Sequence, residues 1–457
     1  MKALILFHLL PYTFLFIGCF CFAGAGDWSN WRGPNYNGST SDSFSYPEKF
    51  SIKDEVKWSF ELPGSSASTP VVNDDLVFLS TVSAKSETED GELLAICLDR
   101  KSGKLIWRKN VGSGYQPGDG DGLTHKLDSK SNYASPSPVA YERGAVFFFG
   151  NGDLINVNID GEIVWRKNLQ KEFGDFCFQW TFAATPTVLN ARIYLPVLQR
   201  DEPVHGRGES NAKSFIHCFD IRDGSLLWSY ERKTSAKMES RESFTTLIPY
   251  QGNLLLAGGD FLSSHNPENG HENWRWGTWN QGHKQAWWRL VPSPVPGNFK
   301  ALVCAPKGAP VYAVKIPRNS EKDGDTTLLW DSSDEKEVTS DVPTPLYYRE
   351  RFYVLSDLKK NLSCLDEDTG EVVWSLPLPG KYKWRSSPTG GDGKIYLMNH
   401  NAMVLVIDAD KGRIIHQTKM GGTYDDLTRS SIVLNRGSLL IKTNEKLYCI
   451  QEEMPPM

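Results

Sequence analysis

The chain has 457 residues, 40% hydrophobic and 12% aromatic, with a formal net charge of −5. That content is ample for a large core, while the acidic balance and the lack of a basic run interleaved with aromatics argue against a general nucleic-acid-binding role. Apolar runs such as AVFFFG and NLLLAGG are short and bounded by Gly, Asn or Asp, so helical periodicity is absent and strands are expected throughout.

The first 25 residues read as an export signal: one Lys, an apolar stretch, then the small-x-small site Ala23-Gly24-Ala25. A competing reading takes Phe16-Ile17-Gly18-Cys19 as a lipoprotein box, with Cys19 lipidated. His8 and Pro11 interrupt a run already short for a bilayer, so no transmembrane span is expected in the mature chain. The expected location is therefore the periplasm or cell envelope. Residues 26–55 form an extended N-terminal segment, and a propeller is expected from 56 to 457.

The propeller is read from one repeated hairpin. CLDRKSGKLIW ends at Trp107, CFDIRDGSLLW at Trp228, HNPENGHENW at Trp274 and CLDEDTGEVVW at Trp374. In each, an Asp or Asn stands four residues before the Gly and the Trp four after it. NIDGEIVW ends at Trp165 with a shortened turn, a degenerate copy ends at Trp330, and VIDADKGRIIH places His416 in the Trp slot. LYCIQ at 447–451 is an eighth first half, and its missing partner is VKWSFEL around Trp58. A Ser/Thr-Pro-like approach precedes each hairpin: STPVV, SPSPV, ATPTV, FTTLI, PSPVP, PTPLY, SSPTG and SSIVL.

Eight approaches and eight closing positions predict an all-β, single eight-bladed propeller whose last blade is completed by the N-terminal strand. Such closure removes the last radial seam. A tryptophan repeated once per blade is read as packing between blades rather than as a ligand stacker. The long gaps at 114–133 and 200–213 are expected to be surface loops. GDGDG within the first lacks the full calcium-loop pattern and is read as a solvated turn.

Six cysteines follow the signal, and Cys97, Cys218, Cys364 and Cys449 share one strand slot in different blades. Equivalent slots lie too far apart for the roughly 4.4–6.8 Å Cα separation of a disulfide, so they are read as small buried hydrophobes.

The unit in CLDRKSGKLIW and CLDEDTGEVVW resembles the pyrroloquinoline-quinone (PQQ)-like repeat of quinoprotein alcohol dehydrogenases and of non-enzymatic envelope-assembly propeller lipoproteins. WSNWRGPNYNGST, NYASPSPV, ESRESFTTLIP and APKGAPVYAV resemble the exported bacterial PQQ-like repeat proteins. The resemblance implies the quinoprotein-type fold. Quinoprotein dehydrogenases clamp their cofactor between a Trp and adjacent disulfide-linked cysteines, bind Ca²⁺ and use an Asp base. This chain has no adjacent cysteine pair and no CxxCH haem site. No cofactor is expected, PQQ included.

Segments leading into the innermost strands should converge at the mouth of the central funnel. They supply Trp180, Arg241, Arg289, Trp288, Trp384, Arg385 and Arg429 as a candidate ligand site, and no catalytic or metal residue is singled out. Arg forks suit carboxylate or phosphate and Trp faces suit sugars, whereas the other reading pairs these Arg with nearby Glu and Asp as a network tying blades together. Two function classes follow. One is a non-catalytic envelope scaffold that binds an envelope protein or an anionic or sugar-like small ligand; the other is a quinoprotein-like oxidoreductase or other funnel-site enzyme.

Overall fold

The computed structural model describes residues 27–83, 91–114, 132–277, 279–317, 326–423, 425 and 427–452. The signal, Cys19 and GDGDG lie outside them. Eight antiparallel sheets of four strands each succeed one another around an axis. Blades one to seven span 71–113, 139–168, 187–231, 248–276, 295–331, 346–377 and 389–419. The eighth takes three strands from 433–450 and its outermost strand from Val56–Glu61, which pairs antiparallel with Lys446–Ile450 and sets Trp58 opposite Cys449. Both the blade count and the closure expected from the repeats are present. One short helix, Leu169–Phe173, interrupts the strands, and among the described residues no helix is long and apolar enough to cross a membrane.

The repeated residues form the joints between blades. In each outermost hairpin the register slips by one just before the Trp, as between Cys97 and Leu98 or between Cys364 and Leu365. Such a bulge twists the strand and re-aims a side chain. The Trp ring thereby crosses to the next blade, where Nε1 donates to a backbone carbonyl: Trp107 to Ile159 at 2.9 Å, Trp330 to Glu367 at 3.0 Å and Trp374 to Ala409 at 3.0 Å. The ring lies on the turn Gly of that next blade. At Gly370, with φ +75°, a Cβ would sit 2.5 Å from the Trp330 ring, so the turn needs glycine both for its left-handed backbone and for room. Directly opposite each Trp is a small residue, Cys97, Asn156, Cys218, Ser264, Ala313, Cys364 or Cys449. This explains the shared cysteine slot: the six described cysteines are free and buried.

The N-terminal segment crosses the axis. Trp28 exchanges two backbone hydrogen bonds with Val72 of blade one, and Ala140 of blade two donates to Ser29 O at 2.8 Å. Gly38 and Thr40 then pair with Gly390 of blade seven, and Tyr347 of blade six donates to Asn37 O. These bonds satisfy innermost strands that would otherwise present open edges. Arg32, fully buried, pins the crossing by donating to the carbonyls of Asn37, Pro345 and Pro388. Burial lowers its pKa to about 9.

The 200–213 insertion corrects the surface-loop expectation in part. Most of it is exposed or half-buried, but Arg200 and Val204 are buried, and Arg207 donates to Phe178 O at 3.0 Å. Arg200 has a carboxylate partner inside, Glu242, which a solvated loop would not require.

Candidate functional site

The hydroxyl residue of each Ser/Thr-Pro-like approach belongs to a collar around the axis. Thr69 N donates to Ser137 Oγ at 2.9 Å, Ser137 N to Thr185 Oγ1 at 3.2 Å, and Thr185 N to Thr246 Oγ1 at 3.3 Å. The series continues through Ser293, Thr344 and Ser387 at 3.0 Å each. Ser431 N then donates to Thr69 Oγ1 at 3.1 Å. Among the described residues no bond joins Ser387 to Ser431. Two positions upstream of those serines stand Arg385 and Arg429, and both line the cavity that the collar surrounds. The cavity has a volume of about 200 Å³. Trp31 of the crossing segment also lines it.

The expected site residues divide into separate groups. Arg385 and Arg429 meet at the cavity. Arg289 forms a two-pronged bond to Asp341 at 2.8 and 3.0 Å, and Arg385 Nε donates to Asp357 Oδ2 at 2.9 Å. Asp341 N in turn donates to Asp357 Oδ1, and Lys307 bonds Glu239 at 2.8 Å, so one charged network runs across blades four to seven. Burial opposes the charge of Arg289, but the Asp341 pair outweighs it and raises the pKa above the ordinary value. Asp357 goes the other way: burial lifts its pKa, and its neighbour Asp341 adds to that against the pull of Arg385.

The remaining four lie apart from the cavity. Arg241 pairs with Asp201 at 3.1 Å. Trp288 is partly buried against the core of blades four and five, with its N–H on Ser240 Oγ. Trp180 lines a cleft of about 40 Å³ with Tyr133, Phe176, Phe178, Phe182 and Arg207. Trp384 has 0% exposure and packs in the core of blades six and seven, with Nε1 on Pro379 O.

Several residues at the funnel were not singled out by the sequence. Trp31 sat in a segment read only as extended; its signal was the density of Trp, Arg, Gly and Asn in WSNWRGPNYNG. Arg200, inside the presumed loop, bonds Glu242 and Gln179 and lies 5.6 Å from the ring centre of Trp287, itself 54% exposed. Burial pushes Glu242 up to about 7 against the pull of Arg200. Lys442 is fully buried, donates to Ser66 O and Oγ at 2.7 and 2.8 Å, and is pushed down to about 7 by burial and by the nearby Arg429 charge.

None of the described cysteines lines the cavity or stands beside another in sequence. Among the described residues no three His, Cys, Asp or Glu gather as a metal-holding cluster, and the axial carboxylates Asp341 and Asp357 are spent on arginines.

Together these features define an eight-bladed β-propeller of the quinoprotein type with a narrow, cation-flanked axis. The chain belongs to the family described as "Outer membrane protein assembly factor BamB", whose model matches residues 90–322 and 315–452. Similar solved structures include BamB from Moraxella catarrhalis, 13% identical over 88% of this chain and 98% of that one, TM-score 0.59. A europium-containing methanol dehydrogenase is 11% identical over 91% and 89%, TM-score 0.61. The quinohemoprotein alcohol dehydrogenase of Comamonas testosteroni is 11% identical over 96% and 83%, TM-score 0.60. At such identities the likeness carries the fold alone. A search of the curated proteins finds no match.

Proposed function

We propose that this is a non-catalytic binding propeller, exported to the periplasm or cell envelope, whose funnel face docks another envelope protein. Membership of a family named for outer-membrane protein assembly supports the class of partner. The observation that carries the reading is the commitment of the funnel's charges to one another: Arg289 to Asp341, Arg385 to Asp357 and Lys307 to Glu239. A general base must be within reach of substrate. Among the described residues the carboxyl held near neutrality, Glu242, has 0% exposure and does not border the axial cavity. The alternative, a quinoprotein-like oxidoreductase, needs a clamp of adjacent cysteines, which the sequence lacks, and a calcium site that the described residues do not fit, so no step is derived through a quinone.

Beside these paired charges Trp287 stands exposed, backed by Arg200 and by a bond from Lys307 to its carbonyl. Exposed Trp and Arg are the residue types that anchor protein interfaces. The test places a photo-crosslinking side chain at position 287 and, separately, at exposed Leu105 on the outer rim. A discrete envelope-protein adduct from 287 alone, reduced by Arg200→Gln, is expected. Equal labelling from both positions would reject the funnel face as the docking site.

Anchoring through Cys19 is a further part of this reading. Metabolic labelling with a fatty acid, lost in Cys19→Ala, would establish it, while an unlabelled protein would leave signal cleavage after Ala25.

A further inference from the structure

We propose that the axial cavity is a binding site for a compact oxyanion, a small carboxylate, phosphate or sulfate, held by the fork of Arg385 and by the hydroxyl collar. The proposal rests on the reading of the funnel as a binding face and narrows what its axis takes.

Three observations carry it. First, seven collar hydroxyls accept a backbone N–H from the preceding blade, and among the described residues none of these seven donates its own proton to a protein group. A hydroxyl is both acceptor and donor, so each keeps one O–H for something else. Ser431, which also lines the cavity, makes no side-chain hydrogen bond to any described residue. Second, Arg385 commits only Nε, to Asp357; its two Nη groups meet no acceptor among the described residues, and the side chain is 16% exposed. Arg presents a planar fork that matches the two oxygens of a carboxylate or phosphate. Third, the cavity is bordered by two arginines, hydroxyls and apolar side chains that include Trp31 and Phe244, with no carboxylate among its lining residues.

The guanidinium fork beside the spare O–H groups selects charge. A neutral sugar brings no negative charge to the Arg385 fork, and a cation would meet two guanidinium groups. An oxyanion meets donors from the Arg385 fork and the hydroxyl collar, and a cavity of about 200 Å³ admits a compact one while excluding a multi-ring cofactor. Asp357 does not oppose this, because its charge is spent on Arg385 Nε and on the backbone N–H of Asp341.

The experiment titrates the purified full chain with inorganic phosphate, sulfate, acetate and glucose by calorimetry, with tryptophan fluorescence as a second readout because Trp31 lines the cavity. At least one anion should bind saturably and glucose should not. Arg385→Gln should weaken binding by at least tenfold, the ordinary effect of losing a hydrogen bond to a charged group. Ser431→Ala, which breaks no side-chain bond among the described residues, should weaken it severalfold with unchanged melting, and Trp31→Phe should abolish the fluorescence response. Arg241→Gln, away from the cavity, should change nothing. Glucose binding as tightly as the anions, or no anion binding to the parent, would overturn the proposal. Loss of binding in Arg289→Gln but not in Arg385→Gln or Ser431→Ala would move the anion to the funnel mouth and reject the cavity. Intact anion binding without the position-287 adduct would instead fail the docking reading alone.

Discussion

At the joint between blades six and seven, Trp374 lies on the turn Gly412 and donates to Ala409 O; at the next joint His416 fills the same slot and meets Phe50. The first arrangement recurs at Gly103, Gly161, Gly224, Gly270 and Gly370, each beneath the Trp of the preceding blade. At the second, no hairpin turn exists to supply the glycine, because the outermost strand of blade eight comes from the other end of the chain. Phe50, five residues before Glu55, takes the place of that turn, with its ring centre 5.5 Å from the imidazole and its carbonyl 2.7 Å from His416 Nε2. The substitution in the repeat therefore marks the seam where the ring of blades is joined. A departure from a repeat reports where the covalent pattern itself departs.

The comparison is broken most severely by removing the joined strand. Deletion of Val56–Glu61 leaves the Lys446–Ile450 edge open and takes Trp58 from its place on Gly103. Loss of a single cooperative melting transition is expected, and an unchanged melting curve would refute the closure. Next, Trp330→Ala should destabilise by about 3–5 kcal/mol, the range for emptying a large aromatic site. His416→Ala, at the half-buried seam, should cost clearly less in chemical denaturation. Equal losses would mean that the two joints do not differ in the way described.

At the axis, Arg289→Ala leaves Asp341 without its paired cation and should cost about 3 kcal/mol, as for other buried pairs broken from one side. An unchanged melting temperature would mean that the network is not structural. A smaller effect comes with pH. Burial and the neighbouring Arg232 push His265 down to about 3, and burial together with Lys167 pushes His217 down to about 4. Unfolded rings take a proton near 6.5, so the stability that these histidines confer is complete above that pH and is lost as pH falls toward 3. Melting temperature measured from pH 7 to pH 4 should fall, with a shallower slope in His265→Asn. The smallest effect belongs to the rim: Arg222, which pairs with Asp220 at the surface, should be replaceable by Ala without a measurable change in melting.

The rim was legible because it is written several times. Gly four before Trp, Asp four before Gly and a small residue across from the Trp each recur, so a single chain carries its own comparison, and even His416 could be placed by its register. The axis was legible only in part. The Ser/Thr-Pro approaches were visible as strand starts, but their collar depends on a backbone N–H of one blade meeting a hydroxyl of the next, 43 to 68 residues further along in six cases and 362 residues back at Ser431, which no local pattern displays. Arg385 and Arg429 were found because position relative to the approach was enough. Trp384, one residue from Arg385, was placed with them, but alternate residues on a strand-like segment face opposite ways, and its ring entered the core. Trp31 and Arg200 escaped because they occur once, in segments without a repeat to align.

The claim that the axis binds rather than catalyses is tested most directly by titrating the purified protein with pyrroloquinoline quinone and Ca²⁺ while following tryptophan fluorescence and dye reduction with an added alcohol. Neither tight binding nor turnover is expected, because the axial carboxylates are held by Arg289 and Arg385 and the described cysteines are buried away from the cavity. Saturable quinone binding with calcium-dependent dye reduction would contradict it.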